Sequence, residues 1–194
     1  MRGGGAPYIL LAAAFGLAAC SSLDSTRAKS TRIGQPPPKR QPQISPLKRK
    51  VLSLLEKKQY RQAIESMNGR YHEGLEKEFV LSINRQLEIG DNAYSAGDYS
   101  MAAHSYKCVL NAYPAEPALR KQIKHEPKKI RSNMEFCTSR MMEQGLSEYR
   151  CGRLESAIGK WKDLLTISPG NNEARKALDT ATIQLQSLQN LKDK

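Results

Sequence analysis

One spacing pattern occurs twice in this chain, and it constrains the fold more than any other feature. The first copy reads Gly90-x3-Tyr94-x2-Gly97-x-Tyr99-x2-Ala102-x3-Tyr106-x7-Pro114. The second reads Gly145-x3-Tyr149-x2-Gly152-x-Leu154-x2-Ala157-x3-Trp161-x7-Pro169, with the same six spacings at an offset of 55 residues. Five of the seven positions carry the same residue type. A weaker third copy, Tyr60-x2-Ala63-x3-Met67, lies upstream. Apolar residues around both strong copies recur in steps of three or four: Leu75, Phe79, Ile83, Leu87 before the first, and Ile130, Met134, Cys137, Met141 before the second. That period is helical, and no clear strand alternation competes with it. A repeated supersecondary unit made of helices predicts an all-α solenoid in which neighbours bury each other's apolar faces.

The pattern resembles the tetratricopeptide repeat, a pair of antiparallel helices. Elementary packing agrees with the resemblance. Gly90 and Gly145 permit close approach of the second helix of each pair. Gly97 and Gly152 stand where the chain leaves one helix and turns, commonly through positive φ. Ala102 and Ala157 are small where helices cross, Tyr106 and Trp161 fill the space one turn later, and Pro114 and Pro169 close the second helix. The strong copies cover about 83–114 and 138–169, and the weak copy about 45–72. A regular repeat of this kind is about 34 residues. The excess falls at 115–135, where Glu116-Pro117 and Glu126-Pro127 each look like helix starts. The expectation is one short extra helix, then an extended first helix for the second copy. Residues 171–191 place Ala174, Leu178, Ala181, Leu185 and Leu188 on one helical face, as a capping helix would.

The N-terminus is of another kind. Arg2 precedes an apolar run from Tyr8 to Ala19, which is too short to span a bilayer and has the build of an export signal. Leu17-Ala18-Ala19-Cys20 resembles the lipobox of bacterial lipoproteins. The resemblance implies a signal peptide over 1–19, lipidation of Cys20, and a position in the cell envelope. Ser21, where an inner-membrane protein would carry aspartate, favours the outer membrane, facing the periplasm. Residues 20–44 are rich in Ser, Pro, Gln and basic residues, and are expected to form a disordered tether reaching from the membrane. Most of the net charge of +12 lies in the tether and the start of the following domain: residues 21–50 hold eight Lys/Arg against Asp24, whereas 51–194 hold 22 against 18 acids. The folded domain is expected to span 45–194, opening at Ser45-Pro46, an N-cap followed by proline.

No constellation for catalysis, metal binding or a cofactor is visible. His72, His104 and His125 are far apart and show no ligand spacing. Cys108, Cys137 and Cys151 match no zinc or haem pattern, and Cys108 with Cys137 is the one intrachain pair left open. An enzyme is therefore not expected, and the export signal argues against a nucleic-acid partner. Tetratricopeptide-like proteins bind peptides or protein segments along the first helix of each pair. Carried over position by position, the groove would include Asn84, Asp91 and Tyr94 from the first copy and Met142, Leu146 and Arg150 from the second. The implied function is an envelope adaptor or assembly factor, in settings such as pilus, secretin or outer-membrane protein assembly. The other reading is a structural envelope protein whose basic tether and insertion bind anionic cell-wall polymer or lipid. The basic residues of the insertion, Arg120, Lys121, Lys124, Lys128, Lys129 and Arg131, belong to that second reading.

Overall fold

A computed structural model of the protein describes residues 44–192, and these are helical throughout their ordered elements, with no strand among them. The expected signal peptide, the lipidation site Cys20 and almost all of the expected tether lie outside the described residues. Eight helices follow in chain order: α1 (Pro46–Glu56), α2 (Tyr60–Ser66), α3 (Glu76–Ser95), α4 (Tyr99–Asn111), α5 (Pro117–Arg120), α6 (Pro127–Arg150), α7 (Leu154–Ile167) and α8 (Asn172–Lys192).

Local chemistry sets the boundaries. Ser45 caps α1 by accepting a hydrogen bond from the Lys48 amide at 3.2 Å, with Pro46 in the first turn. Glu76 and Glu78 place negative charge in the first turn of α3, where the helix dipole favours it. The turns after α3 and α6 are alike. Gly97 (φ 76°) and Gly152 (φ 73°) take the left-handed conformation that both copies of the pattern require. Beyond the first turn, Asp98 caps α4 through the Met101 amide at 3.0 Å; its counterpart Arg153 provides no such cap to α7. The α4 and α7 helices end at Asn111 and Ile167, just short of Pro114 and Pro169. The insertion is built as its two Glu-Pro pairs indicate: one turn of helix at α5, a strap over 121–126, then the long α6.

Successive helices pack on one another: α1 on α2, α2 on α3, α3 on α4, α4 on α6, α6 on α7 and α7 on α8. Their apolar faces join in one continuous core. The paired positions behave as their sizes suggest. Ala102 and Ala157 are fully buried at the crossings, and Tyr106 and Trp161 are sealed beneath the facing helix. A Cβ on Gly90 would stand 3.0 Å from the Tyr106 ring, and one on Gly145 would overlap the Trp161 indole. The aromatic ring and the glycine are thus a matched pair in each copy. The weak copy is a shorter hairpin, in which α2 stops at Ser66 with Ala63 and Met67 buried.

The last helix departs from its expected role at the end. Ala174 and Ala181 are buried and Leu178 and Leu185 half-buried, but Leu188 is 46% exposed and Leu191 70% exposed. The capping face therefore covers the first four turns of α8, and the final turns carry apolar side chains with nothing packed on them among the described residues. Cys108, Cys137 and Cys151 are all free, so the open pairing of Cys108 with Cys137 is not made.

Candidate functional site

The residues expected to line one groove do not share one surface. On α3, Asn84, Glu88 and Asp91 fall at spacings of four and three and so share a stripe of the helix. That stripe is occupied by the chain's own strap. The Asn84 side-chain amide donates to the Gln122 carbonyl at 2.8 Å, and its oxygen accepts from the Lys124 amide at 2.9 Å. The Lys124 ammonium pairs with Glu88. The His125 ring meets Asp91 at 2.8 Å. Asn84 thus reads main chain and is indifferent to side-chain identity, whereas Glu88 and Asp91 select a basic residue and a histidine. Ile123, 8% exposed, and Leu119, 6% exposed, anchor the same segment in the core. Asn84 and Asp91 are therefore not open groove residues: polar groups on a helix face that the sequence pattern leaves to a partner are satisfied within the chain.

Electrostatics follow from these contacts. Hydrogen bonds from Lys124 and Arg85 hold the Glu88 carboxyl below its ordinary value. Asp91 also accepts from the Tyr106 hydroxyl at 2.8 Å. Burial, reinforced by that bond, pushes the Tyr106 phenol well above the usual tyrosine range, so it remains a donor at any physiological pH.

Tyr94 sits elsewhere, in an aromatic cluster with Tyr99 and Phe136; its ring centroid is 6.5 Å from that of Tyr99 and 5.4 Å from that of Phe136. The Arg140 guanidinium lies 5.7 Å from the Tyr99 centroid. Phe136 is 46% exposed, which leaves this cluster partly open to solvent.

In the second copy, Met142 and Leu146 line a cleft between α6 and α8, with a volume of about 310 Å³, together with Tyr149 and Trp161. Glu173, Lys176, Ala177 and Thr180 form its α8 side. Arg150, at the last residue of α6, is exposed and is not among the residues lining it. Among the described residues no strap covers this face. Beneath it the indole N–H of Trp161 is buried with no acceptor among the described residues, whereas its counterpart Tyr106 has Asp91. The position matching Asp91 is Leu146, which accounts for the difference.

Two further features were not visible in the sequence. Asp163 on α7 accepts from Ser100 at 2.5 Å and pairs with His104 at 2.7 Å, both on α4. Partial burial pushes the Asp163 carboxyl up, but the bonds from Ser100 and His104 outweigh it and hold it below its ordinary value. The aspartate stands between serine and histidine, which ties two helices together; a nucleophile–base relay needs the histidine in the middle. Beside it, a larger cleft of about 490 Å³ is lined by Arg61, Glu65, His104, Lys107 and Cys108 among others. Burial pushes the Cys108 thiol up, away from a reactive thiolate. Among the described residues no group of three or more His, Cys, Asp or Glu is placed to hold a metal ion, and no helix is long and apolar enough to cross a membrane. No family model, curated protein or solved structure matches the chain.

Proposed function

We propose that this chain is a lipid-anchored envelope adaptor that binds polypeptide segments on the faces of tetratricopeptide-like helical pairs. Support comes first from the α3 face. There Asn84, Glu88 and Asp91 hold a four-residue stretch of the chain, 122–125, by its main chain and by two side chains. A helix face that holds a turn-and-bend segment by main chain and side chains together can hold a partner's segment in the same way, and it is the observation that carries the reading. The repeated Gly–aromatic pairs and the neighbour-to-neighbour helix packing support a short solenoid of such pairs. Leu17-Ala18-Ala19-Cys20 supports the anchor. The test is crosslinking in cells followed by capture of the full chain. The reading expects a defined envelope protein to be recovered, and in lower amount when Cys20→Ala releases the chain from the membrane. Recovery of none would overturn it.

A second reading is favoured by one observation. Lys128, Lys129 and Arg131 are exposed at the start of α6, where the helix dipole disfavours cations, and none makes an ion pair among the described residues. Such an uncompensated patch suits an anionic polymer or lipid surface. Retention on cell-wall material that falls steeply as salt rises, and is lost on neutralising those three residues, would favour it over the adaptor.

A further inference from the structure

The two copies allow the ligand of one face to be read from the occupant of the other. At the 55-residue offset, Asn84 corresponds to Ser139, Glu88 to Glu143 and Asp91 to Leu146. In the first copy the occupant presents Lys124 to Glu88 and the next residue, His125, to Asp91. In the second copy the carboxylate is retained, since Glu143 is exposed and meets only Arg140 of its own helix among the described residues. The aspartate is replaced by Leu146, half-buried, which lines the cleft together with the buried Met142. The strap cannot reach this face, being held on α3, and α8 follows α7 through a short connection with no comparable insertion.

We infer that the α6 face takes a segment of a partner polypeptide in which a Lys or Arg side chain, directed to Glu143, is followed directly by a large apolar side chain seated against Leu146 and Met142. This rests on the adaptor reading and names its ligand. The Arg140–Glu143 pair does not block the site, because both side chains are about half exposed and such a pair contributes little. The small hydroxyl of Ser139 in place of Asn84 weakens the main-chain grip, so selection falls on the two side chains.

The test uses the full chain in detergent and synthetic nine-residue peptides of the strap sequence 119–127. One carries His125→Leu, one carries His125→Leu with Lys124→Glu, and one is unmodified. Fluorescence anisotropy is expected to show the Lys-Leu peptide binding at least about fivefold more tightly than the Glu-Leu peptide, the scale of one exposed ion pair and more once the charge is reversed. Glu143→Lys, at an exposed position, should invert that order. Leu146→Asp should shift preference to the unmodified Lys-His peptide, as Asp91 holds His125; if that variant does not fold, Glu143→Lys decides. Equal binding of the Lys-Leu and Glu-Leu peptides by the wild type, or no saturable binding, overturns the inference. Capture of an envelope protein in cells is scored alongside with Glu143→Lys. Capture that persists undiminished removes this ligand assignment and leaves the adaptor reading, whereas no capture by the wild type removes both.

Discussion

The Tyr106 hydroxyl donates to Asp91 across 2.8 Å, linking the second helix of the first copy to its first helix and, through His125, to the strap. Trp161 stands at the same place in the second copy, where Leu146 replaces the aspartate and the indole N–H has no acceptor among the described residues. Tyr106→Phe removes the bond to Asp91 and the long one, 3.4 Å, that the Asn133 amide donates to the hydroxyl, but keeps the ring against Gly90. The expected loss is about 1 kcal/mol, a drop in Tm of roughly 2–4 °C for a domain of this size, read by thermal denaturation followed at 222 nm. No change in Tm would mean that the junction contributes nothing.

The glycines opposite the rings differ in how much room they leave. Alanine at Gly145 overlaps the Trp161 indole, so overpacking of about 1–3 kcal/mol outweighs the gain of roughly 1 kcal/mol that alanine brings to a helix. At Gly90 the added Cβ is 3.0 Å from the Tyr106 ring and 3.2 Å from the Ser105 Cβ, and a small shift relieves it. Urea denaturation should rank Gly145→Ala well below Gly90→Ala. The reverse order would contradict the packing of the second pair.

How far these features were legible in the sequence follows from their range. The hairpins, their turns and the helix starts at Pro117 and Pro127 were readable because each depends on residues within a few positions of one another. Gly90 and Gly145 were readable because a periodic pattern repeats them. The strap was not. Lys124 meets Glu88 and His125 meets Asp91 across more than thirty residues, with no periodicity to signal it. The same holds for His104 and Asp163, 59 residues apart. The sequence pattern therefore put Asn84 and Asp91 on one helix face, with no indication that the chain itself would contact it.

Asp163 makes stability depend on acid. Its folded carboxyl binds a proton less tightly than in the unfolded chain, so unfolding takes up a proton and low pH favours it. Its contribution is fully present above the ordinary value of 3.8 and is lost as pH falls through the lower folded value. Asp163→Asn should thus be less stable than wild type at neutral pH, with the gap closing below that range. Denaturation curves recorded at neutral pH and near pH 3 check this; a gap that widens in acid would contradict the pairing with Ser100 and His104.

The three body thiols should differ in reactivity. Cys151 is exposed at the end of α6, Cys108 is half-buried, and burial pushes Cys137 up to about 11. Alkylation at pH 8 with peptide mapping should label Cys151 first, Cys108 slowly and Cys137 only on unfolding. Early labelling of Cys137 would mean that α6 does not seal it.

The claim that the open α6 face engages a polypeptide is tested most directly by site-specific photocrosslinking in living cells, with a photoreactive residue at Ser139 and, as a control, at Glu155 on the exposed side of α7. The account predicts a discrete covalent adduct with one envelope protein from position 139 and none from position 155. No adduct from position 139, or the same adducts from both, would contradict it.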